Sequence, residues 1–404
     1  MCMRIGISTS VIQRGRSGIG QHLFALLRAM LLHPQNHQFT LFVLEEDIPL
    51  FEFARERVTM VSVPERFRPP VNNILWHQRV LPSLARRHLL DVLHVPSYRR
   101  LLWPRPCPLV GTIHDLAPFF VRRKYDWKRM LYGRVVARQL ARRQDEIIAV
   151  SRNTANDVER LFGIHGERVT VVYNGIDHDR FRPGDREASG KLAAQRYSLR
   201  APFLLYVARL EHPGKNHARL ISAFNAFKSA ARSKWQLALG GSDWHGAEVI
   251  REAARCSPFR SDIRFLGFVP DEHLPDLYRA AEALVYPSLY EGFGMPPTEA
   301  MACGCPVISS ARGSLGEIVG DAAMVVDPDD ISSIARALSA IAQDPGLRAR
   351  LRDVGIERAR QFDWKVAAAR TIRVYERAVA RVASVRSKSP AGGIEHAKRA
   401  VAID

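Results

Sequence analysis

Residues 283–308 read ALVYPSLYEGFGMPPTEAMACGCPVI. Ala283 to Tyr286 is a short apolar strand and Pro306-Val307-Ile308 a second. Between them lie a glycine-bearing loop and a helix that Pro296-Pro297 starts. Two buried strands joined through a helix are the unit of a parallel sheet. The unit recurs upstream, where Phe203 to Ala208, Trp235 to Leu239 and Ile263 to Leu266 read as strands separated by helix-length sequence. A first series precedes it: Arg4-Ile5-Gly6-Ile7-Ser8, Phe39 to Leu44, Val58 to Val63, Val92 to Val95, Leu109 to Ile113 and Glu146 to Val150. Leu23, Leu26, Leu27, Met30 and Leu31 mark a helix after the first of these.

The fold class is therefore α/β, with two parallel sheets wound by helices on both faces. A chain of 404 residues accommodates two or three domains. The boundaries expected are 1–185 for the first domain and 186–362 for the second, with a hinge near 180–200 and a charged linker through 185–200. A helix over 363–385 carries Val366, Ala369, Ile372, Val374 and Tyr375 on one face, and 386–404 reads as a flexible tail.

The formal charge is +18 and unevenly spread. Residues 1–200 hold 32 basic and 18 acidic side chains, whereas 201–350 hold 15 and 17. A near-neutral second domain argues against a chain that coats nucleic acid. No stretch reaches the ~20 apolar residues of a spanning helix. Five cysteines, none in C-x-x-C spacing, fit a reducing compartment, with Cys303 and Cys305 packing rather than binding metal. With no apolar leader read at the N-terminus, the expected location is cytoplasmic.

Ligands of open parallel sheets sit beyond the carboxyl ends of the strands, so chemistry is sought there. Glu291 lies in the loop after Ala283–Tyr286, and Glu299 is expected in the first turn of a helix beginning near Pro297. That helix start would offer N–H groups and a positive dipole end to an anion, and Gly292 and Gly294 would let the backbone close on a ligand. A glycosidase pair needs carboxyls ~5–9 Å apart. Eight residues, partly helical, more naturally span two ends of an extended, hydroxyl-rich ligand. Arg209 and Lys215 flank a Pro-Gly turn after another strand and suit a diphosphate, although the P-loop spacing is missing. Gly15 to Gly20 form a glycine turn before a helix, and His114-Asp115 ends a strand on the cleft side. An ordinary helix start, a solvated loop and a structural histidine would account for each of these taken singly.

The ordered set resembles glycosyltransferase family 4. The resemblance rests on Glu291 and Glu299 in E-x7-E spacing, Arg209 with Lys215-Asn216, Gly18-Ile19-Gly20, His114-Asp115, Val150-Ser151, Asn174-Gly175-Ile176-Asp177, and the run from Phe265 to Leu274. It covers about residues 3–382. It implies the GT-B fold: two Rossmann-like domains, acceptor-side and donor-binding, facing a central cleft, with the C-terminal helix crossing back to the first domain. It further implies retaining, metal-independent transfer of a hexose, mannose-like or related, from a nucleotide diphosphate sugar to a glycan or lipid-linked acceptor in bacterial-type surface polysaccharide synthesis. No cofactor is implied beyond the donor substrate.

By the same resemblance Arg209 and Lys215 bind the diphosphate, Glu299 the ribose hydroxyls, and Glu291 with the N–H groups of Gly292, Phe293 and Gly294 the sugar. His114 contacts the sugar from the first domain. Gly18, Ile19 and Gly20, with Asp115 nearby, line the region where phosphate and acceptor meet. The base lies against Gly267, Phe268 and Val269. Ser17 stands where many relatives have glycine. Other GT-B enzymes, an epimerase or a phosphorylase, are the alternative, and a basic nucleic-acid-binding protein the more distant one. The basic, aromatic-interleaved stretch 122–143 reads as a solvated helix face, a peripheral contact with an anionic membrane at its inner face, or a nucleic-acid contact, the membrane being favoured over nucleic acid for a transferase.

Overall fold

The computed structural model describes residues 2–388 apart from 16, 35, 101, 104, 122–126 and 232. The apolar runs are strands covered on both faces, as parallel sheets require. In the first domain β1 (Arg4–Ser8), β2 (Gln38–Leu44), β3 (Val58–Val63), β4 (Val92–Val95), β5 (Leu109–Ile113), β6 (Glu146–Ala149) and β7 (Val169–Val171) pair in the order β3-β2-β1-β4-β5-β6-β7. In the second, β8 (Phe203–Val207), β9 (Gln236–Gly240), β10 (Ile263–Gly267), β11 (Ala283–Tyr286), β12 (Val307–Ser310) and β13 (Met324–Val326) pair in the order β10-β9-β8-β11-β12-β13. Every pairing is parallel. This is the expected two-domain α/β architecture. The sequence reading missed β7 and β13, three residues each at a sheet edge and only partly buried, too short to show a pattern.

The segment read as a charged linker is instead a helix, Arg186–Tyr197. Asp185 caps it, accepting from the amides of Glu187 at 2.9 Å and Ala188 at 3.1 Å. Ser189 ties it to Asp276 at 3.0 Å on the helix Leu274–Ala280. Its buried side is made of small residues, Ser189 and Ala193, so it shows no apolar stripe in the sequence.

The chain leaves the first domain after β7 and returns just beyond Phe362. The two crossings lie side by side: Ile176 pairs with Asp363, and the Ile176 amide donates to the Phe362 carbonyl at 3.2 Å. Gly175 makes that approach possible, because a Cβ there would sit 2.2 Å from the Trp364 nitrogen. The returning helix, Trp364–Lys388, runs past the expected end at 385 and buries Ala368, Ile372, Val374, Tyr375 and Ala378 in the first-domain core. Residues 389–404, read as a tail, lie outside the described residues.

Polar anchors fix this helix. The Tyr375 hydroxyl meets His94 Nδ1 at 2.8 Å. Arg377 and Arg381 reach the carboxylate of Glu146, which is fully buried, at 3.4 and 3.2 Å. The arginines are partly exposed, so solvent compensates for part of the loss when their partner is removed. Glu146→Ala is expected to cost about 1–2 kcal/mol, read as a lower midpoint in chemical denaturation.

Candidate active site

The loops after the strands of the two sheets meet in the cleft between the domains. Lys215 stands at its centre because Asn216 holds the turn. Asn216 adopts φ 62°, a left-handed conformation that asparagine tolerates. Its side-chain amide donates to the carbonyls of Pro287 (3.0 Å) and Pro328 (2.7 Å), tying the loop after β8 to those after β11 and β13. Lys215 Nζ then meets Glu291 Oε1 at 2.5 Å. The same oxygen accepts from Ser288 Oγ at 2.6 Å and the Tyr286 hydroxyl at 3.0 Å. Two residues expected on the diphosphate and on the sugar of a bound donor thus form one ion pair, both largely buried.

Ser314 supports the Glu291 loop from below. Its amide and hydroxyl each donate to the Glu291 carbonyl at 3.0 Å, and the hydroxyl also reaches the Phe293 carbonyl at 2.9 Å. Gly292 faces the first domain, where a Cβ would lie 1.7 Å from the His114 carbonyl oxygen. The Phe293 ring turns away into the core, edge-on to Phe362 at 5.4 Å. Gly294, at φ +108°, opens the helix Met295–Ala302.

That helix begins earlier than the prolines suggested, because proline needs no intrahelical donor in the first turn and sits comfortably at its second position. Glu299 is therefore its fifth residue, two positions further in than expected and in the second turn rather than the first. It is buried, with the Tyr278 hydroxyl donating to Oε2 at 3.0 Å. Burial pushes its carboxyl up to about 7, against the opposing effects of Tyr278 and Arg180. Arg209 is exposed, its guanidinium 4.5 Å from the Trp244 ring centroid and 4.0 Å from Glu211. Gly267, at φ +68°, ends β10, followed by an exposed Phe268 and a buried Val269.

On the first-domain side, Gly18, Ile19 and Gly20 are the first turn of the helix Gly18–Leu31, rather than a loop ahead of it. Ser17, the departure from the common glycine, caps it by accepting from the Gly20 amide at 3.0 Å. Gly20 packs where a Cβ would lie 2.9 Å from the Ile12 carbonyl. Asp115 accepts from the Ala117 amide at 3.0 Å, holding the short turn that follows.

Two residues at the site escaped the sequence reading. His22 is buried and lies against His114, with ring centroids 4.7 Å apart. Its signal, a histidine four residues after Gly18, was hidden among the apolar positions of a helix face. Glu317 crosses between domains, each carboxylate oxygen accepting at 2.8 Å from the Arg152 and Asn153 amides at the start of the helix Arg152–Phe162. A cavity of about 490 Å³ flanks the cleft, and its wall shares Leu289, Tyr290 and Gly313 with the Glu291 loop.

In the basic stretch, residues 122–126 lie outside the described residues. Beyond them, several arginines are engaged by the fold: Arg134 donates to the Pro118 carbonyl at 3.1 Å, Arg142 to that of Phe162, and Arg143 lies over Trp103. Leu131, Val135 and Val136 are exposed there. No helix among the described residues is long and apolar enough to cross a membrane. The described residues contain no group of three His, Cys, Asp or Glu side chains placed to hold a metal ion.

The sequence model described as Glycosyltransferase Family 4 matches residues 16–180, and that of Glycosyl transferases group 1 matches 193–358. The O-antigen chain mannosyltransferase B of Escherichia coli is 29% identical over 394 residues, covering 93% of this chain and all of that one. The MMP alpha-(1->4)-mannosyltransferase of Mycolicibacterium hassiacum is 30% identical over 69% of this chain and 67% of its own. Among solved structures, sucrose-phosphate synthase from Thermosynechococcus elongatus superposes with a TM-score of 0.75 at 20% identity, covering 94% of this chain and 100% of that one. Anabaena HepE in complex with UDP-glucose gives 0.71 at 19%, covering 95% and 100%.

The buried Glu299 has a pH signature. Its folded-state value of about 7 lies above the ordinary 4.5, so the folded chain holds the proton more tightly than the unfolded one. Stability contributed by Glu299 is complete below pH 4.5 and is lost as pH rises through 7. Relative to wild type, Glu299→Gln is expected to gain up to about 3 kcal/mol between pH 4.5 and 8. Paired denaturation curves across that range measure the difference.

Proposed function

The chain belongs to glycosyltransferase family 4, and from that membership we propose that it moves a mannose-like hexose from a nucleotide diphosphate sugar to a glycan or lipid-linked acceptor in surface polysaccharide synthesis, with retention at the anomeric carbon. The observation that carries this reading is the Lys215–Glu291 pair in the interdomain cleft, with the Gly292 backbone against His114. The names of the two mannosyltransferase relatives support the sugar, and the UDP-glucose bound to the Anabaena protein supports the class of donor.

In this reading the donor separates the ion pair. Lys215 turns to the diphosphate, joined by Arg209, while Glu291 accepts hydrogen bonds from the sugar hydroxyls. Glu299 accepts from the nucleotide ribose, and the base lies along Gly267 to Val269. As the bond from anomeric carbon to phosphate breaks, negative charge grows on the leaving diphosphate. The two cations and the positive dipole end of the helix Met295–Ala302 stabilise it, an interaction that strengthens towards the transition state. A leaving-phosphate oxygen takes the acceptor proton on the same face of the sugar, so no side chain serves as nucleophile and no metal is required. His114 holds the sugar from the first domain. The seating of Glu317 on the opposing helix keeps water out while the centre reacts.

The enzyme acts in the cytoplasm, with the first domain resting on the inner membrane face through the exposed Leu131, Val135 and Val136 beside basic residues. Co-sedimentation with liposomes is expected to rise with anionic lipid content, and indifference to it rejects the membrane contact.

A thermal-shift panel of nucleotide diphosphates and nucleotide sugars identifies the donor, and acceptor screening with the best donor follows. Lys215→Ala and Glu291→Ala are each expected to lower transfer about 10²–10³-fold while leaving the fold intact, with a lower unfolding temperature because each leaves the partner's largely buried charge unpaired. Rates equal to wild type from either variant reject the site. Excess EDTA is expected to leave the rate unchanged, and the α-configured donor to give an α-linked product by NMR.

A further inference from the structure

His22 has no part in the reaction as described, yet it is buried at the first-domain side of the site, against His114. Four segments converge on it: its own helix, the His114 loop, Asn174 in the outgoing crossing, and Trp364 in the returning one, whose ring centroid lies 5.4 Å away. Its Nδ1 is 2.9 Å from Asn174 Oδ1. The Asn174 amide nitrogen faces Met295 Sδ at 3.7 Å, so Oδ1 is the acceptor and His22 Nδ1 carries the hydrogen. That leaves Nε2 with a lone pair, buried and without a hydrogen-bond partner.

His114 repeats the arrangement. Its ring is hydrogen-bonded to the Pro96 backbone, and its Nε2 is likewise buried and unpartnered. Burial and neighbouring imidazoles push both rings towards the neutral form, His114 down to about 4 and His22 well below its ordinary value. Two unpaired ring nitrogens in ring-to-ring contact leave hydrogen-bonding capacity unfilled, which protein interiors rarely tolerate. Neutral imidazole nitrogens carrying lone pairs accept from O–H and N–H groups and disfavour a bare anion. At a sugar-transfer centre the matching group is a neutral hydroxyl.

We propose that His22 Nε2 accepts a hydrogen bond from a sugar hydroxyl beside the one that His114 reads, making the two histidines a paired reader of one polyhydroxyl ligand. This rests on the transferase reading. The hydroxyl belongs either to the transferred sugar or to the acceptor sugar, and the two sources separate by experiment. Asn174 orients the His22 ring, and its amide nitrogen meets Met295 at the start of the donor-domain helix, so the reader touches the opposing domain.

The test compares wild type with His22→Phe, which keeps a flat ring and removes the acceptor nitrogen. His22→Ala, scored in the same way, replaces it should the phenylalanine variant not fold. Each is assayed with the nucleotide sugar found by the thermal-shift panel, with its 2-, 3-, 4- and 6-deoxy analogues, and with monodeoxy acceptors. In wild type, loss of the hydroxyl that His22 reads is expected to lower kcat/KM at least 10-fold. In His22→Phe the parent substrate falls by a similar factor, and the penalty for that one deoxy position shrinks below 3-fold while the others persist. A collapse among donor analogues assigns the transferred sugar, and one among acceptor analogues assigns the acceptor. Penalties unchanged at every position, or a wild-type rate from His22→Phe, overturn the proposal and leave the transferase reading standing. Absence of transfer by the wild-type enzyme with any donor overturns both.

Discussion

The site depends on one close approach of backbone to backbone. Gly292 meets the His114 carbonyl so tightly that any side chain would collide with it, and through this contact the two sheets present their loops to each other. Glu317, bound at 2.8 Å to two amides of the helix Arg152–Phe162, holds the same approach from the side. Ser314 links the two, because the segment 313–317 supports the Glu291 loop and ends in the Glu317 carboxylate. The Glu291 loop and the contact between the domains therefore share one supporting segment.

The electrostatics follow from that enclosure. Lys215 and Glu291 satisfy each other where water is scarce, and a ligand must offer both a negative and a hydroxyl-bearing group to separate them without leaving a buried charge unpaired. Glu299 is kept close to neutrality by burial, and the imidazoles of His22 and His114 are kept neutral for the same reason. The cleft thus holds a cation and a hydrogen-bond acceptor side by side in one enclosed site, with neutral imidazoles nearby.

Much of the fold was legible in the sequence, because buried parallel strands are written as continuous apolar runs and the helices between them as periodic ones. Eleven strands could be read this way. The edge strands Val169–Val171 and Met324–Val326 could not, being too short and too exposed to carry a pattern. The helix Arg186–Tyr197 passed for a linker because it buries only small residues. At the site, motif spacing brought out Glu291, Glu299, Arg209 and Lys215, all in the second domain, and His114 in the first.

Local chemistry is encoded locally: a cap, a proline at a helix start or a glycine at positive φ acts within a few residues, so sequence alone determined the elements, their order and the candidate loops. Contacts between residues far apart in the chain leave no such trace. The Lys215–Glu291 pair, the seat of Glu317 on the Arg152 amide of the opposing helix and the meeting of His22 with His114 join residues 76, 165 and 92 positions apart. They exist because sheet order sets loops of one domain side by side, as after β8 and β11, and because the two domains meet across the cleft. Only the tertiary structure decided which polar groups would be paired and which imidazole nitrogens would remain bare.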